Sequence, residues 1–346
     1  MANVSLVTGF LLLGFSDKPE LQTFHGVLFL LMYLAALMSN LLITTLITID
    51  LKLQTPMYFF LKNLSLLDVS FVSVPVPNFI IDSLLHDNSI SILGCAFQIL
   101  LMTSFSAGET FVLTAMSYDR YVAICHPLHY EAIMNGRACT LMAGASWALG
   151  GLFGAVYTAG TFSMPFCGSS VIPEFFCDIP SLLRILCSQT PIAVYVSTAT
   201  GMCVGMSCCI CIVISYVYIF CTVLRIPTSQ GQSKAFSTCL PHLLVFSIFM
   251  LTACIVYLKP PSSTPSALYR LLSVIYTILP PVFNPVIYSF RNSDMKWALM
   301  RLLQRLCSLD SYFLSLVVNP DFCKNHGGEP GNVAQWQKRC LVHWRH

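Results

Sequence analysis

Seven long stretches of this chain hold almost no charged side chains, and nothing constrains its fold more. From Phe24 to Ile49 there is no Asp, Glu, Lys or Arg. The window 57–81 contains only Lys62 and Asp68, and the window 92–118 contains only Glu109. Windows 138–160, 193–223 and 271–290 are free of Asp, Glu, Lys and Arg, and so is 235–258, where His242 is the one imidazole. About 20 mostly apolar residues cross a hydrocarbon core of ~30 Å as a helix. Seven such windows therefore predict an all-α membrane protein, a seven-transmembrane helix bundle. Charged residues make up 10% of the chain and hydrophobic ones 56%. That is too little charge for a soluble surface of this size and too much apolar matter for disorder. A net charge of +3 is too mild to argue for a nucleic-acid partner, which usually needs a clustered basic face, and none is expected. No alternating strand pattern supports a membrane barrel.

Seven spans place the termini on opposite sides of the membrane. With the C-terminus inside, 14 of the 18 Lys and Arg fall on inner segments, as the positive-inside rule requires. Residues 1–23 are then an extracellular N-terminus, 24–306 the helical domain with a short amphipathic helix after the seventh span, and 307–346 a cytoplasmic tail with little fixed structure. The sequon Asn3-Val4-Ser5 makes Asn3 a glycosylation candidate on the outer side. The apolar run Leu6 to Phe15 is too short to span and lacks a basic leader, so the first span is expected to act as its own insertion signal.

Ionisable groups inside spans are functional candidates. Asp68 and Glu109 read either as hydrogen-bonded carboxyls or as a cation or proton site completed by Asn40 and Asn284. Lys62 lies near the inner end and can snorkel. Asp119-Arg120 sits where the third span meets the inner interface. It is an anchor or a switch in which Arg120 changes partners. Pro285, after Asn284, removes a backbone hydrogen bond and bends the seventh span. Four cysteines, Cys95, Cys167, Cys177 and Cys187, face the outer side, where disulfides persist. They allow three pairings, and spacing does not choose among them. Gly150/Gly154 and Gly201/Gly205 permit close helix approach. No phosphate-binding loop, nucleophile elbow or zinc motif is present, so no enzyme is expected.

Several motifs in fixed order resemble the olfactory receptors, a branch of the rhodopsin-like (class A) G-protein-coupled receptors. They are Leu53 to Leu61 (LQTPMYFFL), Met116 to Cys125 (MSYDRYVAIC) followed by Pro127-Leu128, Lys234 to Cys239 (KAFSTC) with His242, and Pro280 to Ser289 (PPVFNPVIYS). The stretch Cys239-Leu240-Pro241-His242 is most similar to olfactory receptor family 14. The resemblance covers about residues 1–306. It implies pairing of Cys95 with Cys177 and of Cys167 with Cys187. It also implies a sodium-site-like cluster of Asn40, Asp68 and Glu109, with no other cofactor. The implied ligand is a small, largely apolar volatile. The implied partner is the stimulatory olfactory G protein, which raises cyclic AMP from the plasma membrane, in cilia of olfactory sensory neurons. Asp119, Arg120, Tyr216, His242, Asn284, Pro285 and Tyr288 are its coupling and switch positions here.

Helical spacing puts Met102, Thr103, Ser106, Ala107 and Thr110 on one stripe of the third span. Thr200, Val204, Ala253, Tyr257 and Thr277 match ligand-facing positions of the family. No acid lies in the stripe, which suits a neutral ligand better than an amine. Departures from the pattern are Ser39, Met250-Leu251, Phe290 and the tail from Ser308 to His346. The same receptor type in a non-olfactory tissue is the nearest alternative. An ion-coupled transporter is disfavoured, because no internal repeat is visible.

Overall fold

The computed structural model describes residues 9–15, 18–166, 170–186, 192–257, 267–291, 294–302 and 304. Seven helical segments are long and apolar enough to cross a membrane. The first is α1, Pro19–Ile49. The second is broken into α2, Pro56–Val72, and α3, Pro75–Leu85. Then come α4, Ile92–Cys125, the short α5, Tyr130–Ile133, and α6, Gly136–Phe162. A turn of helix, α7, Ile179–Leu182, precedes α8, Ile192–Val223, α9, Ser229–Tyr257, and α10, Ala267–Arg291. A second compact unit begins at Trp297, and its described residues are helical.

Local chemistry sets these ends. Pro19 and Pro56 open helices at the one position where a missing N–H costs nothing. Ser91 and Asn135 cap α4 and α6 by accepting from the amides of Gly94 and Ala138, each at 3.0 Å. The third segment runs seven residues past the window 92–118, to Cys125, and so carries the Asp119–Arg120 pair within its last two turns. The break before Pro75 was not foreseen. Proline cannot donate to the carbonyl of Phe71, and the amide of Val74 turns to that carbonyl instead at 3.3 Å. Tyr33 on α1 meets Ser73 at the break, 3.0 Å between hydroxyl oxygens.

α4 is the central helix, packed against α2, α6, α8 and α9. Its approach to α6 depends on glycine. A Cβ on Gly150 would stand 2.6 Å from the carbonyl of Ser104, and one on Gly154 would stand 2.6 Å from that of Leu100. The first small-residue pair therefore joins helices within the chain. In the second pair only Gly201 is used, facing Phe153, while Gly205 meets nothing within 4 Å.

One end of the bundle is closed by a three-stranded sheet that the sequence did not announce. β1, Gly9–Leu12, lies between β2, Ser89–Ser91, and β3, Val171–Ile172. It runs antiparallel to β2, with Phe10 opposite Ile90, and parallel to β3, with Leu12 opposite Ile172. Strand alternation turns Phe10 and Leu12 inward onto Cys95, Ile99, Tyr157 and Cys177. The apolar run too short to span a membrane is thus buried as a strand. Cys95 is disulfide-bonded to Cys177, which ties the start of α4 to the segment carrying β3. Cys167, Cys187 and Asn3 lie outside the described residues.

Candidate functional site

Towards the sheet end, the face of α4 sketched from helical spacing stays partly accessible although α4 is central. Thr103, Ser106, Ala107 and Thr110 are half-buried. Met102 is buried among Phe71, Phe175, Phe176 and Tyr276. The hydroxyl of Ser106 stands 3.4 Å from that of Tyr276 on α10. Tyr276 was missed in the sequence. Its only signal was a phenol beside Thr277 in the stretch 271–279. Thr277 is fully buried and donates to the carbonyl of Ser273 at 2.8 Å. On α8, Val204 is half-buried, whereas Thr200 is exposed and donates to its own helix at Val196. The side chains of Ala253 and Tyr257 lie outside the described residues. The structure therefore joins Met102, Ser106 and Tyr276 across two helices.

Midway along the bundle, Asn284 donates through Nδ2 to both carboxylate oxygens of Asp68, at 3.0 Å each. Asp68 is the charged neighbour of Glu109. Asn40 donates to Ala36 at 3.0 Å and to Pro281 at 2.8 Å, both carbonyls. Two acceptors here, Glu109 Oε1 and Asn40 Oδ1, are buried with no hydrogen-bond partner. An all-oxygen set with unmet acceptors fits a hard cation in its chemistry. All four residues were named from the sequence; the fold joins Asn284 of α10 to Asp68 of α2, sets Asp68 within electrostatic reach of Glu109 on α4, and ties Asn40 of α1 to α10 through Pro281.

At the end opposite the sheet, Asp119 is fully buried. It pairs with Arg120 next to it, Nε at 2.9 Å, and accepts from the hydroxyl of Tyr130 on α5 at 2.7 Å. Tyr130 was also missed, because a loop residue eleven positions away leaves no periodic trace. Burial, and then the charge of Asp119, push its phenol above the usual tyrosine range, so it remains a donor. His242 on α9 bridges α4 and α8. Its Nε2 lies 2.9 Å from the carbonyl of Leu113, and its Nδ1 lies 2.8 Å from the hydroxyl of Tyr216. Arg120 and Tyr288 are electrostatic neighbours of Tyr216. The Tyr288 hydroxyl is buried without a hydrogen-bond partner. Pro285 is buried in α10 beside Asn284. Next to this group Leu128 is 95% exposed.

Three further polar contacts belong to the scaffold. Asn63, which opens a second sequon, Asn63-Leu64-Ser65, lies within α2. It accepts from the indole N–H of Trp147 at 3.1 Å and donates to Phe59. Met250 accepts from the Cys209 thiol at 3.5 Å.

Seven membrane-length helices among the described residues, with a half-accessible stripe on α4 at one end and a buried Asp119 paired with Arg120 at the other, make a seven-helix membrane bundle. The chain belongs to the olfactory receptor family, whose family model, described as olfactory receptor, matches residues 29–305. It is 71% identical to human olfactory receptor 14A2 over 314 residues, covering 91% of this chain and 100% of that relative. Human olfactory receptor 14A16 is 51% identical, with 88% and 98% covered, and human olfactory receptor 14J1 is 48% identical, with 88% and 95% covered. The protein is a multi-pass membrane protein.

Proposed function

We propose that the protein is an odorant receptor for small, largely apolar volatiles, and that it activates the stimulatory olfactory G protein to raise cyclic AMP. The observation that carries this reading is the division of polar groups between the two ends. Towards the sheet end the α4 stripe offers hydroxyls and no acid, which suits a neutral ligand. At the other end Asp119 is fully buried and pairs with the half-buried Arg120. Ligand binding favours a state in which the end of α9 near Arg120 swings outward. His242 then gives up its contacts with α4 and α8, Tyr216 and Tyr288 repack, and Arg120 leaves Asp119 for the G protein.

The N-terminus is outside, with Asn3 glycosylated. The plasma membrane of olfactory cilia is the expected location, and residues 307–346 form the cytoplasmic tail. Asp68, Glu109 and Asn40 would hold a sodium ion, supplying the positive charge that two buried carboxyls otherwise lack. Two uncompensated carboxylates in an apolar bundle are costly.

The test is Arg120→Ala in cells carrying the olfactory G protein and trafficking helpers. Odorant-stimulated cyclic AMP is expected to vanish at unchanged surface display. Retained signalling at normal display would remove Arg120 from the coupling role.

A further inference from the structure

The hydroxyls of α4 fall into two kinds. Ser104, Thr110 and Thr114 each donate to a carbonyl four residues back in their own helix, at 2.7, 3.0 and 2.8 Å, and Ser117 to one three residues back. Their protons are spent, as is common for such side chains inside helices. Ser106 differs. Its hydrogen bond runs across the bundle to the phenol of Tyr276 on α10. That contact is slack at 3.4 Å, against about 2.7–2.8 Å for an ordinary O–H···O bond.

The two partners are held differently. Tyr276 is buried, with its ring edge-to-face on Phe71 at 5.8 Å and packed in the cluster that holds Met102, Phe175 and Phe176. Ser106 is half-buried on the accessible stripe, beside Thr103 and Ala107. A packed phenol thus brings its oxygen to a half-buried serine on the α4 stripe, with the apolar side chains of Met102, Phe71, Phe175 and Phe176 clustered about the phenol.

We infer that Ser106 and Tyr276 form a two-hydroxyl clamp for one ligand oxygen, and that it selects alcohols. The inference rests on the ligand-binding reading above and names its chemical class. An alcohol oxygen accepts from one clamp hydroxyl and donates to the other, closing a ring of three O–H groups in which each bond polarises the next. A carbonyl oxygen only accepts, so one clamp oxygen gains nothing. A hydrocarbon leaves the slack contact as it is and desolvates neither hydroxyl usefully. The expected order of potency is alcohol, then aldehyde, then hydrocarbon on one carbon skeleton. The step from hydrocarbon to alcohol should be about tenfold, the scale of one or two neutral hydrogen bonds.

The test uses the full-length receptor and several matched triplets, n-octanol, n-octanal and n-octane among them. Binding is read as thermal stabilisation of the purified receptor in lipid nanodiscs, and signalling is read separately as cyclic AMP. Tyr276→Phe keeps the ring on Phe71, and Ser106→Ala leaves little to repack, so both variants should fold. Each should flatten the alcohol-to-hydrocarbon ratio towards one, whereas a general loss of fit would lower all three compounds together. Ser106→Thr restores a hydroxyl and should restore part of the ratio. An unchanged ratio in both variants overturns the clamp, and so does a wild type that binds no alcohol or ranks the triplets equally. Binding in the expected order without cyclic AMP would count against the coupling reading and leave the clamp standing.

Discussion

The amide of Asn40 on α1 donates to the carbonyl of Pro281 on α10 at 2.8 Å, and Pro285 is the reason that carbonyl is available. In a regular helix the N–H four residues on would take it, and proline has none. One helix thus satisfies the defect in another. Asn40→Ala leaves the buried carbonyl unpaired and is expected to cost about 1–3 kcal/mol. Thermal unfolding in detergent measures this. Ser39→Ala is the control, since Ser39 bonds only to its own helix at Ala35 and Ala36, and it should shift stability by no more than about 0.5 kcal/mol.

His242 has its protonated nitrogen assigned by its partners. A carbonyl only accepts, so Nε2–H donates to Leu113, and Nδ1 of the neutral ring accepts from the Tyr216 hydroxyl. This one ring joins α4, α8 and α9. His242→Leu removes both bonds and is expected to lower stability by about 1–3 kcal/mol. It should also raise ligand-independent cyclic AMP, because α9 loses two holds on the resting arrangement. An unchanged basal signal at equal display would exclude the ring as a restraint.

Tyr130 anchors Asp119 from outside the bundle, and its elevated phenol pKa keeps the proton in place at physiological pH. Hydrogen bonds to charged acceptors contribute about 1.5–3 kcal/mol. Tyr130→Phe removes this one while keeping the ring. Asp119 then holds Arg120 in a looser setting, and basal cyclic AMP is expected to rise severalfold. A dose–response series should show higher potency for the same odorant, as a destabilised resting state requires.

Gly154 and Gly151 test the packing of α6 on α4. At Gly154 a methyl group meets backbone, with the carbonyl of Leu100 at 2.6 Å, whereas at Gly151 it meets nothing within 4 Å. Gly154→Ala must push the helices apart and is expected to cost about 1–3 kcal/mol or more, seen as lost surface display and a lower Tm. Gly151→Ala should be neutral or stabilising by up to about 1 kcal/mol, from helix propensity alone. Equal effects at both positions would place the second helix elsewhere.

The bundle was legible because a membrane imposes a one-dimensional rule: about 20 apolar residues per crossing, with charges at the ends. Asp68, Glu109, Asn40 and Asn284 were visible for the same reason, as polar groups where polarity is costly. Tyr130 and Tyr276 were not, because a tyrosine in a loop or on an apolar helix violates no local rule. Only the fold shows which acceptor each hydroxyl reaches. The break before Pro75 was written in the sequence as a proline, but α2 and α3 still cross as one segment.

The chain by itself determined the class of solvent, the number of crossings and the burial of Asn40, Asp68, Glu109 and Asn284, since each follows from composition along a line. Tertiary structure alone decided that Gly9–Leu12 becomes a strand between two distant segments. It also decided that Gly205 is left without the contact Gly201 makes, and that Ser106 faces Tyr276 rather than its own backbone. These outcomes depend on pairings across 48 positions (Gly201 with Phe153) to 170 positions (Ser106 with Tyr276), where contact geometry rather than local propensity selects the partner.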